Sequence, residues 1–151
     1  TVSILFLIIA ANMYARMLAM SGITGFLGQW IAGSGLGLYG FTFIFIVVVF
    51  FMGTILDSSS ILMIVVPLTL PIMQEMGINY VWFGLITVVA VEVGLITPPL
   101  GIAAFVVKST LDDQRISLGD VFRGAFPYVV IMALVLILLV IFPQISLVLV
   151  D

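Results

Sequence analysis

A double proline, Pro98-Pro99, interrupts an otherwise apolar stretch that extends over residues 80–111. Proline has no backbone N–H and stops an α-helix, and each unpaired backbone group costs several kcal/mol in hydrocarbon. A helix broken at membrane depth therefore persists only where protein or a polar cavity surrounds the break. The sequence predicts a broken spanning helix over residues 80–111, with a functional site at the break.

The composition supports a membrane environment for this stretch. The chain is 64% hydrophobic and 7% charged, whereas soluble domains are about half apolar and about a quarter charged. The net charge of −3 argues against a nucleic-acid partner. Without cysteine or histidine the chain has no disulfide, no thiolate metal site and no imidazole base. We predict an all-α integral membrane protein that is not an enzyme and needs no organic cofactor.

The apolar segments predict one transmembrane unit over residues 1–151. Because Thr1 begins directly in an apolar stretch with no charged leader region, we expect a fragment of a longer protein. Trp30 favours an interfacial position for the helix before the glycine-rich connector. The predicted order is a spanning helix at 1–20, an interfacial helix and connector at 21–40, a re-entrant hairpin at 41–75, the broken spanning helix at 80–111, a loop at 112–123 and a spanning helix at 124–150.

The re-entrant hairpin is predicted from the length of its two arms. Residues 41–52 and 61–73 are apolar stretches of about a dozen residues each, shorter than the roughly 20 needed to cross a bilayer. The polar tip Asp57-Ser58-Ser59-Ser60 joins them. The orientation follows from basic residues: three of the four lie in residues 108–123 and none in residues 74–79. We therefore expect the 108–123 loop to be cytoplasmic.

The break and the tip each suggest binding chemistry. Carbonyls of residues 94–97 have no partner in a helix that stops there, so they can face a cation such as Na⁺. A half-helix that starts at Pro98-Pro99 points its positive end at the break, where an anionic group can dock. Asp57 and Ser58 are good N-cap residues, and ion binding is a second role for this tip. Paired breaks at the midplane indicate a secondary transporter.

Structural roles are the alternatives. Gly94 and Gly101 suit close helix packing, and Pro98-Pro99 can act as a kink alone. Glu92 is either a protonated, hydrogen-bonded interior carboxyl or a functional group. Two other classes of function also stay open. An intramembrane aspartyl hydrolase would pair Asp57 with Glu92 and lose cleavage activity in Asp57→Asn. A structural or assembly subunit would tolerate alanine at both breaks.

Several motifs resemble the C-terminal half of the large membrane subunit of TRAP transporters, the tripartite ATP-independent periplasmic carriers. The resemblance extends from about Phe41 to Ser146 and is less distinctive over the first forty residues. The motifs are Gly53-Thr-Ile-Leu-Asp57-Ser-Ser, Pro67-Leu-Thr-Leu-Pro71-Ile, Gly77-Ile-Asn-Tyr-Val-Trp-Phe-Gly84 and Gly94-Leu-Ile-Thr-Pro-Pro-Leu-Gly101.

The resemblance implies Na⁺-coupled uptake of an organic acid, such as a C4-dicarboxylate or sialic acid, across the bacterial inner membrane. It also implies an elevator-type carrier built from inverted repeats, with a small membrane subunit and a periplasmic substrate-binding protein as partners. We find no internal repeat in this chain. The N-terminal half of the large subunit is therefore expected as a further partner that completes the site.

The family's functional residues transfer to matching positions of this chain. By resemblance, Gly94, Thr97 and Pro99 supply oxygens to one Na⁺, joined by groups at Ser58 and Ser59. The remaining positions form a region for the substrate or a second ion. These are Gly53, Asp57, Ser60, Glu92, Pro98 and Gly101.

Overall fold

The computed structural model describes residues 5–6, 9–10, 13–14, 16–17, 20–33, 35, 37–98, 100–111 and 115–148. All regular secondary structure within these ranges is helical, which confirms the predicted all-α class. The described residues from 5 to 20 are helical, and the others in the predicted first span lie outside the described ranges. The helices that follow are α1 (Ile23–Gly33), α2 (Gly37–Ile55), α3 (Ser58–Met76), α4 (Tyr80–Leu95), α5 (Ile102–Thr110), α6 (Leu118–Ile141) and α7 (Gln144–Leu147).

Three of these helices, α2, α3 and α6, are long and apolar enough to cross a membrane. Helix α4 is apolar but shorter, with 16 residues. In α6, only Leu136 and Leu139 are buried among the residues of the helix that the structure describes. A mostly exposed and strongly apolar helix of this kind suits contact with lipid. The chain is a multi-pass membrane protein.

The helix bounds differ from the sequence prediction at three places. Helices α2 and α3 have 19 residues each, so the arms of the predicted 41–75 hairpin are longer than the stretches on which the length argument rested. Its re-entrant character stays a prediction. The glycine-rich connector is shorter than expected, because Gly33 still belongs to α1 and Gly37 already begins α2. Helix α6 begins at Leu118, within the predicted 112–123 loop.

The early start of α6 has a local cause. The Ser117 hydroxyl accepts a hydrogen bond from the Asp120 N–H at 3.2 Å, and the Asp120 carboxylate accepts one from the Ser117 N–H at 2.9 Å. This reciprocal pair is a capping box, which satisfies two N–H groups that the start of a helix leaves unpaired. The charged residues Asp120 and Arg123 therefore belong to the first turns of a helix rather than to a loop.

The chain divides into two compact units, residues 1–45 with 62–80 and residues 46–61 with 81–151. In the first unit, the end of α3 is a Schellman turn. The Gly77 N–H donates to the Gln74 carbonyl at 3.3 Å, and the Ile78 N–H donates to the Met73 carbonyl at 2.9 Å. Gly77 has φ +64°, the left-handed conformation that glycine adopts without strain. Met73 and Ile78 are both buried, as this turn requires.

The second unit has its core along α4. The buried side chains of α4 recur at helical spacing along one face, so a single stripe of this helix is packed. Ala104 of α5 and Leu136 and Leu139 of α6 are buried in the same unit, and α5 packs against α6. The buried positions of α4 are Trp82, Phe83, Ile86, Thr87, Ala90, Val91, Val93 and Gly94.

Trp82 joins the start of α4 to the end of α6. Its side chain is 3% exposed, and its indole N–H donates to the Leu139 carbonyl at 2.7 Å. In a continuing helix that carbonyl would accept from residue 143, but Pro143 has no N–H. The indole thus replaces the donor that the proline removes. Trp82 is a buried packing residue of α4, not the exposed interfacial anchor that tryptophan near a helix start suggests.

Candidate functional site at the end of helix α4

Helix α4 stops at Leu95, where the sequence predicts the break. The Thr97 N–H donates to the Gly94 carbonyl at 3.1 Å, and the Thr97 hydroxyl donates to the Val93 carbonyl at 2.5 Å. Among the carbonyls of residues 94–97, which the sequence predicts to lack partners, that of Gly94 therefore has a local donor. A carbonyl oxygen has two lone pairs, and one hydrogen bond leaves the second available for a cation.

The prolines explain why the helix does not continue. Residues 98 and 99 carry no N–H to donate to the carbonyls of Gly94 and Leu95, because both are proline. Pro98 lies in the turn after α4 and is exposed. Pro99 lies outside the described residues, so its predicted role as an oxygen ligand has no geometry here. The helical hydrogen bonds therefore end here because two successive residues cannot donate one.

The next helix begins later than predicted. Helix α5 starts at Ile102 rather than at the prolines. Gly101 precedes it with φ +38°, and a Cβ on this residue would lie 2.8 Å from Cε1 of Phe122 and 3.0 Å from the Thr97 carbonyl oxygen. Both the left-handed backbone conformation at residue 101 and the lack of space for a Cβ require glycine. The positive end of α5 is therefore set by Gly101, and Pro98 belongs to the turn after α4.

Gly94 lies in close contact with Gly53 near the end of α2. A Cβ on Gly94 would lie 2.5 Å from the Phe50 carbonyl oxygen and 2.9 Å from the Gly53 Cα. A Cβ on Gly53 would lie 2.7 Å from the Val91 carbonyl oxygen. The two helices therefore meet backbone to backbone, which only glycine permits. The close-packing role considered for Gly94 is confirmed, with Gly53 as its partner.

Asp57 caps helix α3, as the sequence predicts. Its carboxylate accepts hydrogen bonds from the Ser60 N–H at 3.1 Å and from the Ser60 hydroxyl. These bonds, the hydroxyl one above all, stabilise the ionised form and hold the pKa of Asp57 below its ordinary value. Asp57 is exposed and lies in the link between α2 and α3. Ser60 therefore serves the cap.

Ser58 connects the start of α3 to α4. Its hydroxyl is 3.1 Å from Oε1 of Glu92 and donates a hydrogen bond to it. Both side chains are half-buried. This bond and the Gly53–Gly94 contact lie in the same unit and both join the Asp57–Ser60 tip region to the last turns of α4. The structure thus brings the two predicted polar interruptions together.

The remaining predicted site residues are placed differently. Ser59 is exposed on the first turn of α3. Thr97 bonds back to its own helix, and Gly101 contacts Phe122 of α6. Among the residues that the structure describes, no three histidine, cysteine, aspartate or glutamate side chains gather as metal ligands. A cation site at the end of α4 would therefore use hydroxyl and carbonyl oxygens, with Glu92 as the adjacent carboxylate.

A cavity of about 480 Å³ lies beside this region, lined by the end of α2 and by α5. Its lining is mostly apolar, with side chains such as Ile55 and Phe105. The Thr54 hydroxyl, one of its polar groups, already donates to the Phe51 carbonyl at 2.8 Å. An anionic substrate needs cationic or N–H donors, so this cavity does not suit one. The lining residues are Thr54, Ile55, Leu100, Ile102, Phe105, Val106 and Ser109.

A comparison with known families identifies the group to which the chain belongs. Residues 1–145 match the profile of the family described as "Tripartite ATP-independent periplasmic transporter, DctM component". The chain belongs to this TRAP transporter DctM family. That membership confirms the resemblance seen in the motifs around the tip and the break.

Curated relatives within the TRAP family carry different substrate names. The C4-dicarboxylate TRAP transporter large permease protein of Pseudomonas aeruginosa is 32% identical over 97% of this chain and 34% of its own length. The sialic acid TRAP transporter large permease protein of Vibrio cholerae is 35% identical over 66% of this chain and 22% of its own length. The 2,3-diketo-L-gulonate TRAP transporter large permease protein of Escherichia coli is 29% identical over 67% of this chain and 23% of its own length.

The chain spans about a third of the length of the C4-dicarboxylate relatives that it matches. These relatives are named as TRAP transporter permeases. The side-chain contacts do not support the aspartyl hydrolase alternative, because Asp57 and Glu92 bind different serines rather than each other. A shared proton between two carboxylates would require direct contact.

Proposed function

We propose that this chain forms part of a Na⁺-coupled TRAP transporter that takes up an organic acid. The observation that carries the proposal is the contact between the start of α3 and the last turns of α4, through Ser58 and Glu92. In secondary transporters, unwound carbonyls and half-helix ends form the sites for coupling ions and substrates. This chain places a helix end and a helix start together, in a family of transporters.

The proposed cation site lies between the end of α4 and the start of α3. Carbonyl oxygens at Gly94, Thr97 and Pro99 and hydroxyl oxygens at Ser58 and Ser59 are its candidate ligands. These are hard, neutral oxygens, which suit a monovalent cation with a weak demand on geometry. The partial negative charge at the end of α4 adds attraction for the cation.

The proposed substrate is a carboxylate. The relatives named above are permeases for C4-dicarboxylates, sialic acid and 2,3-diketo-L-gulonate, all of them organic acids. The start of α5 behind Gly101 offers N–H groups to an anion. The region for the substrate or a second ion comprises Gly53, Asp57, Ser60, Glu92, Pro98 and Gly101. Because Gly53 has no free space, its role there is packing.

The rest of the proposed assembly follows from the family. The family description names a tripartite, periplasmic system, which supports a small membrane subunit and a periplasmic substrate-binding protein as partners. An N-terminal half of the large subunit would complete the site. We place the chain in the bacterial inner membrane, with residues 108–123 cytoplasmic because of their basic residues. Movement of the hairpin region as an elevator would carry the substrate across.

Uptake measurements in a complete transporter that carries this chain test the cation site. We expect Ser58→Ala to raise the Na⁺ concentration needed for half-maximal uptake about 10-fold, because a ligand oxygen is lost. Thr97→Ala should have a smaller effect, since its carbonyl remains. Ser109→Ala is the matched control, because this exposed hydroxyl donates only within α5, to the Val106 carbonyl at 2.8 Å.

Two results would contradict the proposal. One is uptake in the unmodified transporter that is independent of Na⁺. The other is a Na⁺ dependence that stays unchanged in both Ser58→Ala and Thr97→Ala. Ser58→Ala combined with Thr97→Pro tests the turn itself, because proline lacks the N–H that now binds the Gly94 carbonyl.

A further inference from the structure

We propose that Glu92 is a positioning residue for the Ser58 hydroxyl at this cation site. The inference rests on the proposed Na⁺ coupling and gives Glu92 a specific role within it. Glu92 acts by accepting the hydrogen bond that the Ser58 hydroxyl donates, so that the oxygen lone pairs of Ser58 face the cation. It does not act as a direct ligand.

The geometry of one hydrogen bond supports this role. The Ser58 hydroxyl donates this bond to Oε1 of Glu92, so the hydrogen between the two oxygens belongs to the serine. A hydroxyl has one hydrogen and two lone pairs. Once the hydrogen is directed at Glu92, the lone pairs are directed elsewhere, and the serine oxygen becomes a better ligand because the bond polarises it.

The backbone around Glu92 is held in place by a second contact. Two residues further along, Gly94 lies against Gly53 with no room for a side chain. On the other side of the link, Asp57 and Ser60 fix the first turn of α3 through the cap. Both ends of the Ser58–Glu92 bond are thus anchored by rigid backbone. The bond can fix the rotation of the hydroxyl rather than following a mobile loop.

The position of Glu92 in α4 is electrostatically unusual. The last turn of a helix favours cations, because its unpaired carbonyls carry partial negative charge. Glu92 places a carboxylate three residues before the end of α4, and the last turn contains no basic residue. A cation bound beside Ser58 would be attracted by these carbonyls, and no basic side chain of the last turn opposes it.

Thermal stability in detergent measures cation binding without transport. A ligand that binds only the folded protein stabilises it by RT ln(1 + L/Kd) at a free ligand concentration L, so the rise of the melting temperature with ligand concentration reports the dissociation constant, which is the half-saturating concentration. We would titrate the purified complete transporter with NaCl against choline chloride at constant ionic strength. Glu92→Ala and Ser58→Ala should each raise the half-saturating Na⁺ concentration about 10-fold, as removal of a partner behind a metal ligand does. Glu92→Gln should give a smaller rise, because its amide oxygen still accepts the bond.

The double variant distinguishes positioning from independent action. If Glu92 acts through Ser58, then Ser58→Ala with Glu92→Ala should bind Na⁺ no more weakly than Ser58→Ala alone. If the fold-losses in Na⁺ affinity of the two single variants multiply in the double variant, the inference is overturned, because Glu92 then contributes by itself. Glu75→Gln is the charge control, since this exposed carboxylate lies near the other end of α3.

The remaining outcomes separate this inference from the proposed function. If Na⁺ does not stabilise the unmodified protein and uptake is independent of Na⁺, the proposed function fails. If Na⁺ stabilises it and Ser58→Ala weakens binding while Glu92→Ala does not, only the inference fails. If Glu92→Ala does not fold, Glu92→Gln is the deciding variant. A Na⁺ affinity of Glu92→Gln equal to that of the unmodified protein would overturn the inference.

Discussion

Two helices of the second unit end at a proline, and they end differently. At the end of α6, the carbonyl of Leu139 loses its donor because residue 143 is proline, and the indole N–H of Trp82 replaces it at 2.7 Å. At the end of α4, Thr97 closes the last turn through its own N–H and hydroxyl. A distant, buried side chain supplies the donor at one end, whereas among the described residues a threonine of the same turn supplies the donors at the other.

The difference shows that a helix end next to a proline can either be filled by a structural contact or be left accessible to a ligand. A buried donor such as Trp82 occupies the freed carbonyl permanently, because its removal would leave an unpaired polar group inside the protein. Thr97 is half-buried beside an exposed Pro98, so its turn keeps access to the surroundings. The same residue type, proline, therefore opens both helix ends, and the neighbouring side chains determine which end can accept a ligand.

Gly94→Ala should have the largest effect on this comparison. The new methyl group would lie 2.5 Å from the Phe50 carbonyl oxygen, so α2 and α4 must separate. We expect a loss of about 3 kcal/mol in unfolding free energy, measured by thermal unfolding in detergent. Gly84→Ala on the same helix is the control, because nothing lies within 4 Å of its added Cβ, and it should gain about 1 kcal/mol. Equal stability of the two variants would disprove the tight contact.

Trp82→Phe tests the sealed end and should cost about 2 kcal/mol, since the Leu139 carbonyl loses its donor while buried. Adding Pro143→Ala should restore part of that loss, because residue 143 then has an N–H for this carbonyl. Trp30→Phe is the control, because Trp30 is 61% exposed. Thermal unfolding of the four proteins measures the effect. A double variant less stable than Trp82→Phe would contradict the donor replacement.

Asp57→Ala tests the capped helix start that faces the open end of α4. Loss of the cap should cost about 1 kcal/mol, whereas Asp57→Asn should cost less, because asparagine also caps well. The pKa of Asp57 is lowered in the folded protein, so the ionised form contributes stability at neutral pH that is lost as pH falls through the lowered pKa. The advantage of the unmodified protein over Asp57→Asn should therefore shrink on acidification. A constant difference in melting temperature would contradict this.

The sequence predicted features that depend on neighbouring residues. The cap at Asp57 follows from an N-cap residue before an apolar run, and the stop of α4 follows from two adjacent prolines. The start of α6 is also encoded locally, by Ser117 and Asp120 three residues apart, but the polar residues around them suggest a loop. A capping box outweighs local polarity, because it satisfies the backbone of the first turn.

Features that depend on distant residues could not be predicted. Glu92 and Ser58 were both candidate site residues, yet their hydrogen bond joins positions 34 residues apart in the chain. The burial of Trp82 depends on the Leu139 carbonyl, 57 residues away. The apolar stretches of about a dozen residues stop before Gly53 and resume after the serines of the tip, whereas α2 continues to Ile55 and α3 begins at Ser58. Gly53 is helical because a partner glycine packs against it.

The environment of Trp82 also makes this tryptophan an intrinsic fluorescent probe of the protein. The chain has two tryptophans, one almost fully enclosed and the other largely exposed. Indole fluorescence shifts to shorter wavelength in apolar surroundings and responds to hydrogen bonding at the ring nitrogen. With Trp30 replaced by phenylalanine, the indole emission of this chain would come from Trp82 alone. Its wavelength would report on the contact between the start of α4 and the end of α6 without any attached dye.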